Sequence, residues 1–159
     1  MNQEQFRLHV VRDALGAAGW WSLAVENLIV ATAMVESGLE KLVQDRDGPA
    51  RGVFQIEKVS YGSVLDYIKR DSEKVKTITM ACNLIALPEE VDTVIWNLRY
   101  AVLITRMFYY RFPEPLPEAF NYTELYAIYK QRYNSGKGAA TSERDLPIFK
   151  QVCQYQEKS

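Results

Sequence analysis

The stretch Leu23-Ala24-Val25-Glu26-Asn27-Leu28-Ile29-Val30-Ala31-Thr32-Ala33-Met34-Val35 is nearly apolar all round, and it constrains the fold more than any other part of the chain. A helix with apolar side chains on every face has to be enclosed by other elements. Ser22 precedes it as a plausible N-cap, because its hydroxyl can accept from an amide that the first helical turn leaves unpaired. Glu36 falls in the last turn, so a buried helix delivers a carboxylate to the edge of the core. A polar turn region follows, and Gly52-Val53-Phe54-Gln55-Ile56 returns as a short apolar segment carrying one amide. Acid and amide can therefore meet in one cleft.

The remaining segments read mostly as helices. From Gln3 to Ala18, Phe6, Val10, Ala14 and Ala17 recur at helical spacing, with Arg7, Arg12 and Asp13 elsewhere on the wheel, and the helix should stop near Gly19. Residues 37–51 hold Gly38, Gly48, Pro49 and the charged set Asp45, Arg46 and Asp47, which is turn chemistry for a small hairpin or an irregular loop. Ser60 can cap a helix from Tyr61 to Lys69, and Ser72 another from Glu73 to about Ile85. Pro88-Glu89-Glu90 is expected to open a long helix in which Val91, Val94, Ile95, Leu98, Val102, Thr105, Phe108 and Tyr109 share one stripe. Pro113, Pro115 and Pro117 end it, and further helices begin near Thr123 and after Thr141. Strand-like segments are few and short, and no repeat or interdomain linker is visible. The expected fold class is all-α, a single domain over residues 1–159 with at most a small β-hairpin near residues 42–56.

Charge and cysteine usage narrow the function. A formal net charge of -1 with 25% charged residues and no basic block argues against a nucleic-acid partner. Cys82 and Cys153 are far apart and His9 is the one histidine, which supplies a zinc site poorly; no metal or cofactor is expected. The amino terminus lacks the basic start and apolar core of a signal peptide, and the longest apolar run is far short of a bilayer span. The expectation is a soluble protein made in the cytoplasm without a Sec address and with no stable membrane insertion.

Glycoside cleavage needs a proton for the leaving oxygen while positive charge builds on the sugar ring, and it often uses a second carboxylate as base or nucleophile. A general acid at neutral pH needs its pKa raised from about 4.3, and apolar surroundings do this by disfavouring the ionised form. Glu36 follows Ala33, Met34 and Val35, which is such a setting. Gln55, an amide between apolar neighbours, needs a hydrogen-bond partner wherever it is buried.

Glu36-Ser37, then Gly52-Val53-Phe54-Gln55-Ile56, then Tyr133-Asn134-Ser135-Gly136 together resemble the lytic transglycosylase and goose-type lysozyme family, whose members carry these segments in this order. The likeness is stronger to phage-encoded members, in which stretches like Gly48-Pro49-Ala50-Arg51-Gly52-Val53-Phe54-Gln55-Ile56-Glu57 and Pro113-Glu114-Pro115-Leu116-Pro117 occur together, and it extends over nearly the whole chain. The resemblance implies a lysozyme-like helical domain of the goose lysozyme type that acts on peptidoglycan glycan strands. In that reading Glu36 protonates the oxygen between N-acetylmuramic acid and N-acetylglucosamine. The same carboxylate then acts as base on the muramyl C6 hydroxyl, leaving a 1,6-anhydro end without a metal. Gln55 would hydrogen-bond at the cleft wall, Tyr133 would bond to the acid or the sugar, and Asn134 and Gly136 would form the turn that presents Tyr133. Ser37 and Asn134 join the expected substrate-binding set. A phage-encoded enzyme without an export signal would be packaged in the virion beside phage structural proteins, or reach the periplasm and cell wall through a holin.

Many bacterial members have a serine where this chain has Asp45, and Asp47 stands two residues further on. A second carboxylate at the cleft, from Asp45, Asp47 or Glu57, would permit lysozyme-type hydrolysis, so lyase and hydrolase both stay open. The plainer alternatives are that Glu36-Ser37-Gly38 is only a helix end closed by glycine, that Asp45 and Asp47 are solvated loop charges, that Glu57 forms a structural salt bridge, and that Tyr133 is a core tyrosine. A non-enzymatic virion or tail component on the same scaffold is the other class of function, with a small helical regulator behind it.

Overall fold

In the computed structural model, which describes residues 1–134 and 141–158, the apolar run forms helix α3 (Leu23–Ser37). The Ser22 hydroxyl accepts from the Val25 amide at 3.2 Å, and Gly38, left-handed at φ 61°, closes the other end with its N–H on Met34 O. Every residue from Val25 to Ala33 is buried. The enclosing elements are α9 (Ser142–Cys153), α7 (Leu98–Tyr110), α8 (Tyr122–Arg132) and the amino-terminal helix.

That first helix runs as α1 (Gln3–Phe6), a π-helical turn over Arg7–Val11 and α2 (Arg12–Ala18), ending at left-handed Gly19. The expected polar placement of Arg7 does not hold: its side chain is fully buried. Arg7 donates to Glu26 Oε1 at 2.7 Å, to Asn27 Oδ1 at 2.8 Å and to Val152 O at 2.9 Å. Arg12 and Trp21 complete the shell around Glu26, donating to its Oε2 at 2.8 and 2.7 Å. The wheel missed this because the polar partners, Glu26 and Asn27, sit inside the apolar run itself. Burial pushes the Glu26 carboxyl up, but hydrogen bonds from Arg12, Trp21 and Arg7 outweigh it and hold the group below its usual range.

Strands β1 (Ala50–Arg51) and β2 (Ile56–Glu57) pair antiparallel with Ala50 opposite Glu57, and Val43 bridges to Arg51. The turn between them begins with Gly52 at φ 74°, a conformation that glycine adopts without steric cost. A Cβ on Gly52 would also lie 2.7 Å from the Val94 carbonyl oxygen.

Helix α4 (Lys58–Lys69) starts three residues before Tyr61, directly off β2, and α5 (Ser72–Ala81) is capped by Asp71 and stops ahead of Asn83 at φ 54°. The long helix expected from Pro88 is interrupted. A short α6 (Thr93–Trp96) ends at Asn97, whose backbone leaves the helical region and whose side chain accepts from the Tyr100 amide at 3.0 Å, capping α7. The break seats the Val94 carbonyl against Gly52, and Asp92 bonds to Arg51 at 3.2 Å, so α6 braces the hairpin. The acidic pair Glu89-Glu90 therefore does not stand at the start of the core helix. Helix α7 crosses the core, with Tyr100 to Thr105 and Met107 to Tyr109 all buried. Asn121 caps α8 and Thr141 caps α9. Among the described residues the chain is all-α with one small hairpin. Among the described residues, no helix is long and apolar enough to cross a membrane.

Candidate active site

A cleft of about 820 Å³ opens between the end of α3, the hairpin, the start of α4 and the end of α8. Glu36, Gln55, Glu57, Tyr133 and Asn134 all line it. Four physical ties bring these separate segments together.

The first is at Glu36. Its Oε1 accepts from the Tyr129 hydroxyl at 2.7 Å, and the Asn134 amide donates to the same hydroxyl at 3.3 Å. Burial pushes the Tyr129 phenol far above its usual range and the charge of Glu36 pushes it further, so this proton stays on the tyrosine.

The second is Ser37. Its hydroxyl lies 2.6 Å from Val53 O and 3.2 Å from Ala33 O, and it accepts from the Leu39 amide at 3.1 Å. Ser37, expected among the substrate contacts, has its hydroxyl occupied by three backbone groups and is not among the residues lining the cleft. It fixes the end of α3 to the hairpin turn.

The third is the turn itself. Gln55 is buried and takes φ 51°, which is uncommon for a residue with a side chain. Its backbone N–H and its Nε2 both donate to Gly52 O, at 3.0 and 2.9 Å. Val53, Phe54 and Ile56 are packed inward, each 1% exposed, which leaves Gln55 as the turn residue that lines the cleft.

The fourth is Tyr133, whose hydroxyl donates to Phe54 O at 2.6 Å. Its ring stacks between Tyr109 at 5.7 Å and Tyr129 at 6.0 Å, so three tyrosine rings form a continuous row from α7 to the end of α8. Tyr109 in turn shares a 2.7 Å hydrogen bond with Thr32 of α3. Burial and then the nearby Glu36 charge push the Tyr133 phenol well above its usual range.

The phenol hydrogen-bonded to Glu36 is thus that of Tyr129, one helical turn before Tyr133. Sequence reading passed over Tyr129, although a residue four positions before Tyr133 on a helix shares its face. Asp45 and Asp47 are exposed and outside the cleft lining; Asp45 pairs with Lys41, and the carboxylate beside the cleft is Glu57. Ser135 and Gly136 of the carboxyl-terminal motif lie outside the described residues. Arg111, Arg132 and Arg144 line the same cleft as Glu36 and Glu57, with Arg144 engaged by Asp145. Among the described residues, no group of three or more His, Cys, Asp and Glu side chains could hold a metal ion. Compared with protein-family models, with curated proteins and with solved structures, the chain matches none.

Proposed function

We propose that this protein cleaves the β-1,4 bond between N-acetylmuramic acid and N-acetylglucosamine in peptidoglycan, as a lytic transglycosylase on a lysozyme-like helical scaffold. Glu36 is the acid, and afterwards the base on the C6 hydroxyl that closes the 1,6-anhydro ring. The observation that carries this reading is the convergence of Glu36, Gln55, Tyr133 and Asn134, from segments spread over about a hundred residues, on one cleft. A glycan strand is bound through a polar cleft lining, and the Tyr129 hydrogen bond orients the carboxyl group for proton transfer. The resemblance to phage-encoded members supports a protein delivered in the virion or released for lysis.

A second reading is hydrolysis. Glu57 lines the same cleft as Glu36 and would activate a water molecule, a role for which Asp45 and Asp47 are badly situated. Purified sacculi digested with the protein and with Glu36→Gln test both. Equal activity of the two proteins would sink the assignment of the acid. Mass spectrometry of the released muropeptides separates the mechanisms, because anhydro ends mean transglycosylase and reducing ends mean hydrolase.

A further inference from the structure

Sharing Arg132 with the cleft, a second cavity of about 350 Å³ is lined by the end of α7, the proline link and the end of α8. Two guanidinium groups border it, Arg106 from α7 and Arg132 from α8, and Arg132 lines the main cleft as well. Each lies over an aromatic ring, Arg106 over Tyr110 at 4.9 Å and Arg132 over Phe112 at 5.0 Å. Ring faces satisfy the flat face of a guanidinium but not its in-plane N–H groups. The Nε of each arginine is buried without a hydrogen-bond partner among the described residues. Among the described residues, Glu114 is the one carboxylate lining the cavity, 3.5 Å from Arg132 and mostly exposed, and no carboxylate pairs with Arg106.

Two positive charges against one carboxylate leave a single charge to be matched. A monoanion does this; a phosphate dianion would add repulsion from Glu114. The planar fork of a guanidinium fits the two oxygens of a carboxylate, and Pro113, Pro115 and Leu116 give the cavity an apolar wall. We propose that this cavity is a carboxylate-binding subsite, built on Arg106 and Arg132, that takes a carboxylate of the peptide stem borne by a muramyl residue in the neighbouring cleft. The identity of the ligand rests on the peptidoglycan reading; the charge and shape of the site do not. Burial holds the Arg106 guanidinium below its usual range, with the charge of Arg132 a smaller contribution in the same direction, and a bound carboxylate opposes that shift.

Isothermal titration of the free tetrapeptide stem, the same peptide with its carboxyl groups amidated, inorganic phosphate and chitotetraose tests the proposal. The free stem should bind at least about tenfold more tightly than the amidated one, and Arg106→Gln should weaken it by a similar factor, with Arg106→Lys intermediate. No binding of the free stem, equal binding of the amidated form, or unchanged affinity in a folded Arg106→Gln variant would overturn the subsite. Phosphate displacing the stem at equal concentration would also overturn it, in favour of a general anion site. Should Arg106→Gln fail to fold, the contrast between free and amidated stem on the native protein decides. Failure of chitotetraose to bind would count against the proposed function, while the peptide contrast would still uphold the subsite.

Discussion

The Tyr129 hydroxyl donates to Glu36 Oε1 over 2.7 Å, joining α8 to the last turn of α3 across 93 residues of sequence. Because burial and the charge of Glu36 both raise the phenol, Tyr129 acts as a donor throughout the neutral range. A hydrogen bond to a charged group is worth about 1.5–3 kcal/mol. Tyr129→Phe should therefore lower turnover on sacculi about 10- to 100-fold with the circular dichroism spectrum unchanged and a loss of stability no larger than about 1–3 kcal/mol. A rate unchanged by the substitution would remove Tyr129 from the site.

Ser37 offers the contrasting case, a residue beside the acid whose role is mechanical. Ser37→Ala leaves the Val53 carbonyl and the Leu39 amide without a buried partner, which costs about 1–3 kcal/mol. Urea denaturation should show that loss, with KM for the glycan nearly unchanged. A raised KM at unchanged stability would return Ser37 to the substrate contacts.

Gly52 meets two constraints at once, a positive φ and a neighbouring carbonyl. Gly52→Ala adds about 1–2 kcal/mol for the left-handed backbone and further cost for displacing α6. Chemical denaturation should register at least about 2 kcal/mol. Activity should fall more than stability does, because the shifted turn carries Gln55.

How much of this was legible in the sequence depends on whether a signal was local. The apolar run, its Ser22 cap and its Gly38 terminator define α3 correctly because propensity, capping and burial agree there. Thr141 ahead of α9 is another local signal that held. The stripe from Val91 to Tyr109 was real as a buried pattern, yet its continuity was misleading. Asn97, an ordinary capping residue, breaks the helix so that the Val94 carbonyl can meet Gly52, and no local signal announces that distant partner. Glu26 shows the same limit: inside an apolar helix its charge is tolerable only because Arg7 and Arg12 arrive from an element that sequence periodicity had placed polar side out, and Trp21 from the link before Ser22. In the cleft, Glu36, Gln55 and Tyr133 were visible through their motifs, whereas Tyr129 resembled any other core aromatic.

Glu26 also sets a pH dependence for stability. Its folded-state pKa is held below the ordinary 4.5, so its contribution is fully present above about pH 4.5 and is lost as pH falls through the lower folded value. Thermal midpoints should drop on acidification below about pH 4.5. Glu26→Gln leaves buried Arg7 facing no carboxylate and should destabilise by about 3–5 kcal/mol at neutral pH, with the acid dependence flattened. A variant as stable as the native protein would show that the pair is dispensable.

The two carboxylates of the cleft carry the decision on mechanism. A transglycosylase uses one acid that returns as base, so Glu36→Gln should lower turnover by about 10²–10⁴, the usual contribution of a positioned acid-base group. Glu57 would then serve only to shape the wall at the start of α4, and Glu57→Gln should retain most activity and still yield anhydro ends. If Glu57 activates water, both substitutions abolish turnover and the native products carry reducing ends. Asp45→Asn is the control: exposed and paired with Lys41, it should change stability by less than about 0.5 kcal/mol and leave the product spectrum intact. Retained anhydro products in Glu57→Gln, alongside loss in Glu36→Gln, would identify the single-carboxylate route, because no other acid among the described residues lines the cleft.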